Sequence, residues 1–484
     1  MFAMASHPTI DEVMDYSLNA FHSYKNTSFE TRTRLSDEIV HQLTLLRNNL
    51  IDTASKETHL TIERLQTEFD RTLHQFQSYT RAYSTGNWML PRIDTGKKDV
   101  RKMYIPLGPV VVYGASNFPF AYATPGGDVA SALAAGCTVV VKAHPAHPQT
   151  AALAAKAIQN AIQNLNLHPG TFQQIELTDA AHGKALVQHP ATAAVAFTGS
   201  YHGGKQLFNW ANEREHPIPV FAEMGSVNPV FIAGEGSNSD VEQLAVKLSV
   251  SVSNSCGQFC TKPGIIIGLQ SNGWIQFIHA LQHQLSLKVP APMLHRGIHQ
   301  QFIQGIQQVA GTPGVQCLLH THPNTDNVQP VLHEVSAADF LNEKSLQEEV
   351  FGPCTLLVTC HSTDEMLAVA QSLKGQLTGT VISPEFHDAF LMELIDILQS
   401  KVGRLILNDV PTGVEVVTAM HHGGPFPATT DSRFTSVGPD SILRFVRPVT
   451  YQQFPAHLLP DALKNDNPLN IWRIVNGCMK NDAL

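Results

Sequence analysis

The stretch VVVYGASNFPFAYATPGGDVASALAAGCTVVVK, residues 110–142, decides the fold class of this chain. It begins with the apolar run VVVY and ends with a second such run, TVVVK, and both are typical of buried strands. Between them, residues 125–135 are rich in Ala and carry a proline at the start, where a helix accepts one. Two buried strands joined by a helix predict parallel pairing within an α/β sheet.

The same alternation of strand and helix continues along the chain. An Ala-rich helix is expected over residues 149–164, followed by the strand-like runs FQQIEL, AAVAF and PVFAE. A second alternating series begins with NPVFIA at residue 228 and ends with RLILND at residues 404–409. The sequence therefore predicts two doubly wound α/β domains that meet near residue 226.

The flanking segments have a different character. Apolar residues at helical spacing, such as Ile39, Leu43 and Leu46, predict surface helices near the N-terminus. Residues 85–106 are turn-rich and basic, and they are expected to leave the main core as an excursion. The run SILRFVRPVTY, which begins at residue 441, is expected to form a strand.

The composition excludes several classes of function. The 484 residues carry 32 Lys and Arg against 41 Asp and Glu, and the net charge of −9 argues against a nucleic-acid partner. No apolar run approaches the roughly 20 residues that span a bilayer, so no membrane partner is expected. The start of the chain lacks the pattern of a signal peptide, and the 7 Cys are odd in number and scattered. These features favour a reducing, cytoplasmic location and a catalytic protein that acts on a small molecule.

Cys260 is the first candidate for chemistry. It lies in SCGQFCTKPG, a small loop directly before the apolar strand IIIGL, and nucleophiles are commonly exposed at such strand ends. A thiolate there can attack a carbonyl carbon if neighbouring dipoles or cations lower the pKa of the thiol. The alternative is a buried structural thiol, which is the usual state of a free cysteine.

Two further candidates also follow strands. Glu223 closes the run PVFAE, and partial burial would raise its pKa towards that of a general base. Asn117 follows VVVYG, and its side-chain amide can donate to an oxyanion. An acidic turn residue in solvent and an ordinary turn asparagine are the corresponding alternatives.

Another group of residues is typical of nucleotide binding. The segment FTGS, residues 197–200, follows a strand and precedes a helical stretch, so its glycine lets the backbone approach a phosphate. Lys142 ends a strand at the carboxyl edge of the sheet, where doubly wound folds bind nucleotides. Neither signal is specific alone, because FTGS is not the G-x-G-x-x-G fingerprint and a solvated lysine is common at strand ends.

The 24 histidines raise the question of a metal site. His144 and His147 flank a proline, and His421 is adjacent to His422, but neither pair stands in an H-E-x-x-H frame. The cysteines form no C-x-x-C pair either. No metal is therefore predicted.

The segments GASNFPF, TVVVKAHP, FTGS, FAEMGS, GQFC and EEVFGP, taken together and in this order, resemble those of the NAD(P)-dependent aldehyde dehydrogenase superfamily. The resemblance covers nearly the whole chain. Four segments of this chain make one branch of the superfamily the most similar: VKAHPAHPQT, PIPVFAEMGSVNPVF, GVEV with HHGGPFPATTD, and the tail NPLNIWRIVNG. That branch contains α-ketoglutarate semialdehyde (2,5-dioxopentanoate) dehydrogenases and bacterial NADP-dependent fatty aldehyde dehydrogenases.

The resemblance implies that the chain is divided into three parts. Residues 1–84 and 107–226 would form the NAD(P)-binding domain, and residues 227–439 would form the catalytic domain. Residues 85–106 and 440–484 would form an oligomerisation arm, a strand and a C-terminal tail. These elements imply a homodimer, with a tetramer as the alternative.

The resemblance also implies catalytic roles. Cys260 would form a thiohemiacetal with the aldehyde, and Asn117 together with the N–H of Cys260 would hold the oxyanion. Glu223 would activate the water that hydrolyses the thioester left after hydride transfer. The relatives' E-L-G-G-K is replaced here by Glu223-Met-Gly-Ser-Val, so the surroundings of the base differ. Cys256 stands close enough in sequence to form a disulfide with Cys260.

A nicotinamide cofactor would be held, on the same resemblance, by Lys142, His144, Gly199, Ser200, Glu349 and Phe351. The lysine would bind the adenine ribose, the serine the pyrophosphate, and the last two residues the nicotinamide ribose and ring. Many NAD-specific relatives carry a glutamate three residues after the matching lysine, where this chain has Pro145. Without that carboxylate a 2′-phosphate meets less repulsion, so NADP is expected to be tolerated beside NAD, with a preference for NADP as the further alternative.

The substrate is the least constrained part of the interpretation. 2,5-Dioxopentanoate carries a carboxylate, which needs a cation or backbone donors, and Arg433 is the predicted cation, with Phe118 as a further substrate contact. A fatty aldehyde would instead need a long apolar channel, and the semialdehyde is favoured. An enzyme that passes the thioester to CoA and a catalytically silent binding protein are further alternatives. Glu223 argues against the first, and Cys260, Glu223 and Asn117 together argue against the second.

Overall fold

The computed structural model describes residues 9–176, 179–234, 238–320, 326–384 and 389–484. Within these residues the helices are α1 (Ile10–Tyr24), α2 (Phe29–Leu45), α3 (Arg47–Thr58), α4 (Ile62–Thr85), α5 (Gly127–Ala135), α6 (Pro148–Asn164), α7 (Ala180–Gln188), α8 (Tyr201–Asn212), α9 (Asn238–Ser253), α10 (Asn272–Ser286), α11 (Arg296–Ala310), α12 (Ala337–Asn342), α13 (Thr363–Ser372) and α14 (Ala389–Gln399). None of these described helices is both long enough and apolar enough to cross a membrane.

The strands of the same described ranges are β1 (Arg92–Thr95), β2 (Asp99–Pro106), β3 (Val110–Tyr113), β4 (Val139–Lys142), β5 (Phe172–Ile175), β6 (Ala194–Thr198), β7 (Val220–Glu223), β8 (Val230–Ile232), β9 (Ile265–Leu269), β10 (Ala291–Pro292), β11 (Gln316–Leu319), β12 (Asn327–Val328), β13 (Val331–Ser336), β14 (Cys354–Cys360), β15 (Gln376–Ile382), β16 (Val402–Leu407), β17 (Val446–Gln452), β18 (Arg473–Val475) and β19 (Cys478–Lys480). Apart from the short pair β10–β12, they form three sheets.

The first sheet contains five parallel strands in the order β5-β4-β3-β6-β7. Its central strand β3 pairs Val110 with Val139 on one side and with Ala194 on the other. Alternate residues of β3 enter two different cores, since Val110 packs with one and Val111 with the other. The helix α5, which is buried along its whole length, connects β3 to β4. The opening stretch therefore forms the crossover that its sequence predicts.

The second sheet has seven strands in the order β11-β13-β14-β9-β8-β15-β16. Neighbouring strands run parallel except at one edge, where β11 pairs with β13 in the antiparallel sense. The run IIIGL forms β9, whose Ile266 packs with α9 and α10 while Ile265 packs with α12, α13 and α14. Helices thus cover both faces, and the predicted fold class of two doubly wound α/β domains is confirmed.

The third sheet is small and has the order β17-β2-β1-β18-β19. The excursion predicted over residues 85–106 contains the antiparallel hairpin β1–β2, with Arg92 opposite Lys102. Strand β2 also pairs with β17, which places Pro106 opposite Val446. The turn-rich segment therefore owes its order to pairing with a distant strand, which local sequence signals do not reveal.

The strand expected in SILRFVRPVTY begins later than predicted. Residues Pro439–Phe445 form a short 3-10 helix, and only Val446–Gln452 form β17. Ile442 is fully buried where this helix packs on α5, and Arg444 pairs with Asp128 of α5 at 2.7 Å. The apolar residues of SILRF are therefore core contacts with a helix, and so short a run does not distinguish the two structures.

Helix α4 reaches the region where the two large sheets face each other. It begins after the N-cap residue Thr61, whose side chain accepts the N–H of Arg64. Further along, Glu68 accepts the backbone N–H groups of Phe120 and Ala121, each at 2.8 Å. These bonds fix the loop that follows β3, which carries the predicted oxyanion donor.

Candidate active site

Cys260 lies on the loop between α9 and β9. The preceding residues Ser255, Cys256 and Gly257 have φ angles of 48°, 56° and 65°, a left-handed turn that side chains other than glycine rarely adopt. A Cβ on Gly257 would lie 2.3 Å from the carbonyl carbon of Gly352, so this turn packs directly on the segment EEVFGP. The close approach fixes where Cys260 stands, and both it and Cys256 are free thiols.

His422 stands between the thiol and the predicted base. Its Nε2 lies 3.6 Å from Cys260 Sγ and 3.1 Å from Glu223 Oε1. The backbone N–H of His422 donates to Thr435 Oγ1 at 2.9 Å, and Ser436 Oγ donates to Glu223 Oε2, also at 2.9 Å. The histidine and glutamate side chains are only 2% and 3% exposed. Because Nε2–H donates to Glu223, this nitrogen has no lone pair left for the thiol, and the thiol instead hydrogen-bonds the Glu223 carboxylate.

Sequence reasoning missed His422 as a functional residue. The motif MHHGGP suggests only a metal-binding pair, and its spacing does not support a metal. His422 is 162 residues from Cys260 and 199 residues from Glu223, so no local pattern connects the three. Its presence in HHGGPFPATTD, one of the segments similar to the branch, was the only signal in the sequence.

The same three side chains also satisfy the distance requirement of a metal site. Their ligand atoms lie within 4.8 Å of one another, and this is the one such group within the described part of the chain. Thiolate, imidazole and carboxylate are ligands that Zn²⁺ accepts. A metal bound here would occupy the groups that a cysteine nucleophile needs, so the two kinds of chemistry exclude each other at this site.

Burial and charge act differently on the two acidic groups. Burial, reinforced by the Glu223 carboxylate, holds the pKa of Cys260 well above its usual range. Burial alone also raises the pKa of Glu223, but the charge of His422 and hydrogen bonds from His422 and Ser436 outweigh it. The net pKa of Glu223 lies below its ordinary value, so the predicted rise is wrong, because the sequence does not reveal these donors. The resting site holds a thiol beside a carboxylate.

Asn117 lies on the loop after β3, opposite the nucleophile loop. Its Nδ2 donates to the carbonyl oxygen of Gln258 at 3.1 Å, two residues before Cys260. Its backbone carbonyl accepts from Arg64 Nη2 at 3.4 Å. One amide hydrogen thus joins the two loops, and the other has no acceptor among the described contacts, which leaves it for an oxyanion.

A cavity of about 570 Å³ opens onto Cys260. It is lined by α4, by the loop that carries Phe118, and by residues 412–414. Arg433, the predicted substrate cation, does not line it. Its side chain is 79% exposed and pairs at 2.5 Å with Asp431, only two residues away. The structure therefore does not bring Arg433 to the nucleophile, because a local carboxylate neutralises its charge in solvent.

A second cavity, of about 730 Å³, lies between the two large sheets at the N-terminus of α8. Ser200, which is the N-cap of α8, lines it together with Gly225, Glu349 and Phe351. Burial raises the pKa of Glu349 to about 7. A helix N-terminus offers free N–H groups to phosphate, and the carboxylate and aromatic ring suit a ribose and a nicotinamide. The residues present therefore fit a nicotinamide nucleotide.

The remaining predicted cofactor residues lie at the carboxyl edge of the first sheet. The N–H of Gly199 donates to the carbonyl oxygen of Glu223 at 3.0 Å, which ties FTGS to the end of β7. Lys142 ends β4 and is half-buried, and burial lowers its pKa. Burial, with the neighbouring His147, lowers the pKa of His144 to about 3. Neither Lys142 nor His144 lines the cavity at α8.

The fold is a two-domain α/β fold, and its candidate site combines a free cysteine with a cavity that a nucleotide fits. The chain belongs to the aldehyde dehydrogenase family, whose family model matches residues 1–427. It is 42% identical to the alpha-ketoglutaric semialdehyde dehydrogenase of Acinetobacter baylyi and 39% identical to alpha-ketoglutaric semialdehyde dehydrogenase 2 of Azospirillum brasilense. Each alignment covers 99% of this chain and 93% of the relative.

Solved structures share the fold. A betaine aldehyde dehydrogenase from Staphylococcus aureus superposes with a TM-score of 0.79 at 18% identity, covering 95% of this chain and 92% of that chain. The predicted resemblance is therefore confirmed, and the protein is an NAD(P)-dependent aldehyde dehydrogenase.

Gly225→Ala is expected to weaken cofactor binding while leaving the fold intact. A Cβ on Gly225 would lie 2.7 Å from Glu349 Oε2, so the carboxylate would have to move away from the cofactor cavity. The KM for the nicotinamide cofactor should rise about tenfold, the size of one lost charged hydrogen bond. Initial rates at varied cofactor concentration, together with the melting temperature, measure both effects.

Gly96→Ala is the matched control, because nothing lies within 4 Å of the Cβ it would gain. It should change neither quantity. An unchanged cofactor KM in Gly225→Ala would contradict the position of Glu349 at the cofactor.

Proposed function

We propose that this enzyme oxidises 2,5-dioxopentanoate to 2-oxoglutarate through a thioester on Cys260. The observation that carries the reaction is the hydrogen bond between the Cys260 thiol and the Glu223 carboxylate, which His422 Nε2 holds in place at 3.1 Å. The substrate is supported by the two relatives at 42% and 39% identity, whose names specify alpha-ketoglutaric semialdehyde, the same compound.

In the first half of the reaction, Glu223 accepts the thiol proton through its hydrogen bond with Cys260, and Cys260 Sγ bonds to the aldehyde carbon, which forms a thiohemiacetal. The aldehyde oxygen becomes an oxyanion that accepts from Asn117 Nδ2 and from the N–H of Cys260. A bound nicotinamide would supply the acceptor for the hydride that leaves this carbon, and a thioester on Cys260 then remains.

In the second half, Glu223, having released the thiol proton to solvent, takes a proton from a water whose oxygen bonds to the acyl carbon. The carbon–sulfur bond then breaks, the carboxylic acid leaves, and the proton on Glu223 passes to Sγ. The lowered pKa of Glu223 keeps it charged at neutral pH between these steps, as a general base requires. One carboxylate thus serves both halves of the cycle, and His422 and Ser436 hold it in place.

For the cofactor, we propose that Ser200 contacts the pyrophosphate and that Glu349 and Phe351 contact the nicotinamide ribose and ring. All three line the cavity at the N-terminus of α8. Lys142, at the end of β4, would reach the adenine ribose. Pro145 supports acceptance of NADP, because no carboxylate stands there to repel a 2′-phosphate.

The three sheets support a division of the chain into functional parts. Residues 1–84 and 107–226 contain the first sheet and would bind the cofactor, and residues 227–439 contain the second sheet and would supply the nucleophile. Residues 85–106 and 440–484 contain the third sheet and would form the oligomerisation arm.

Steady-state kinetics of the purified enzyme test which aldehyde is the preferred substrate. With either cofactor, kcat/KM for 2,5-dioxopentanoate should exceed that for decanal by about tenfold or more. NADP should support turnover as well as NAD, read by the absorbance of the reduced nicotinamide. Cys260→Ser should form no reduced cofactor, since the hydroxyl is a far weaker nucleophile than the thiolate.

The other outcomes favour the alternatives. A preference for decanal would contradict the semialdehyde and favour the fatty aldehyde. Turnover that requires CoA would overturn hydrolysis, and no turnover with any aldehyde would favour a catalytically silent binding protein.

We propose that the enzyme is a homodimer. Edge strand β16 exposes Leu405 and Leu407, and the third sheet exposes Met479. Unpaired edges with exposed apolar residues are typical of surfaces covered by a second subunit. Light scattering after gel filtration should give about twice the chain mass of 52.9 kDa. A tetramer would double that value, and a monomer would contradict the proposal.

We also propose that the enzyme works in a reducing compartment such as the cytoplasm. All seven cysteines are free thiols. Cys260 must remain one, because oxidation of its sulfur would remove the nucleophile.

A further inference from the structure

One face of α4 forms a wall of the cavity that opens onto Cys260. Its residues recur at the three- and four-residue spacing of a helix face: Thr61, Arg64, Thr67, Glu68 and Arg71. The other lining residues include three aromatic side chains, Phe118, Tyr122 and Phe259, and the loop residues 412–414. Two arginines therefore face the space that leads to the nucleophile.

Arg64 is neutralised within this wall. Its Nη1 lies 2.5 Å from Glu68 Oε2, and the other carboxylate oxygen of Glu68 accepts two backbone N–H groups. The guanidinium also stacks over the rings of Phe118 and Phe259, at 4.3 and 5.2 Å from the ring centres. Arg64 and Glu68 together form a closed ion pair, and they add no net charge to the cavity.

Arg71 has no such partner. Its Nε donates to the carbonyl oxygen of Val414 at 3.2 Å, and its Nη2 donates to Tyr122 Oη at 3.1 Å. Both acceptors are neutral, and Arg71 makes no ion pair with any residue that the structure describes. The remaining lining carboxylate, Glu63, is exposed. Glu68 acts on Arg71 only through its charge at a distance, so no ion pair neutralises this guanidinium.

Arg71 keeps a donor free for a further partner. Two hydrogen bonds to neutral groups hold the guanidinium in place, while its Nη1 has no acceptor among the described contacts. Tyr122 accepts from Arg71, and its own O–H hydrogen also lacks an acceptor among them. The side chain is partly buried, and an oriented guanidinium without an ion pair in a cavity points to an anionic group that binds here.

We propose that Arg71, with Tyr122, binds the carboxylate of the substrate and so restricts the enzyme to short aldehydes with an acid at the far end. The inference rests on the proposed function and names the residue that sets its substrate class. Four carbon–carbon bonds of about 1.5 Å each separate the aldehyde and carboxylate carbons of 2,5-dioxopentanoate. Arg71 and Cys260 line one cavity, so a short chain can place its aldehyde at the thiol and its carboxylate at the guanidinium.

A charged and an uncharged aldehyde of equal length test the inference. In Arg71→Gln, kcat/KM for 2,5-dioxopentanoate and for 5-oxopentanoate should fall roughly 100-fold, mainly through KM. The value for pentanal, which has no carboxylate, should change less than about threefold. Arg71→Lys should recover part of the loss, because it keeps the charge but not the fork of donors. 2-Oxoglutarate should inhibit the wild type in competition with pentanal, and inhibit Arg71→Gln far more weakly.

Arg433→Gln is the matched control, since it removes an arginine that is exposed and paired with Asp431. It should leave all three substrates unchanged. Equal losses on pentanal and on the two acids in Arg71→Gln would show a merely structural role, and unchanged acid kinetics would also overturn the inference. If the wild type ignores 2,5-dioxopentanoate but oxidises 5-oxopentanoate with full dependence on Arg71, the proposed substrate fails and the role of Arg71 stands.

Discussion

The buried hydrogen bond from His422 Nε2 to Glu223 Oε1, 3.1 Å long, is the interaction on which the candidate site depends. Both side chains are almost fully buried, and Cys260 Sγ lies 3.6 Å from the same nitrogen. Burial makes the thiol hard to ionise, and the nearby carboxylate makes it harder still. Burial would also neutralise Glu223, but the donors His422 and Ser436 keep it charged. The proposed mechanism therefore uses this charged carboxylate, which hydrogen-bonds the thiol, as its proton acceptor.

The facing sheets bring these groups together. Glu223 and Asn117 follow strands of the first sheet, so they lie at its carboxyl edge, whereas Cys260 and Glu349 precede strands of the second sheet and lie at its amino edge. The nucleotide cavity and the aldehyde cavity open between these two edges. Gly257 closes the arrangement, because only a residue without a side chain can approach the segment EEVFGP so closely.

The sequence predicts much of this arrangement, because its strongest signals are local. Buried runs such as VVVY predict strands, and candidates at strand ends, such as Cys260, fall at the sheet edges where the cavities lie. Local reasoning fails where a contact joins distant segments. The charge of Arg433 predicts a substrate cation, but Asp431, two residues away, neutralises that charge. Arg71 stands 189 positions before Cys260, on a helix for which the sequence pattern indicates only packing.

The same limit explains the strand boundary and the protonation states. SILRF is apolar because it packs on α5, and no pattern within five residues distinguishes that contact from a strand. The direction of the Glu223 shift depends on His422 and Ser436, which are 199 and 213 residues away. The burial of a carboxylate can be predicted from the local sequence pattern, but the distant donors that hydrogen-bond it cannot.

The most direct test of the contact between Glu223 and the thiol is the pH dependence of Cys260 alkylation, followed on the Cys260 peptide by mass spectrometry because Cys317 and Cys478 are exposed. Glu223→Gln should move the alkylation profile to lower pH by about one unit, since it removes the charge that raises the pKa of the thiol. A Glu223→Gln profile that coincides with the wild type would contradict the position of this carboxylate beside the thiol.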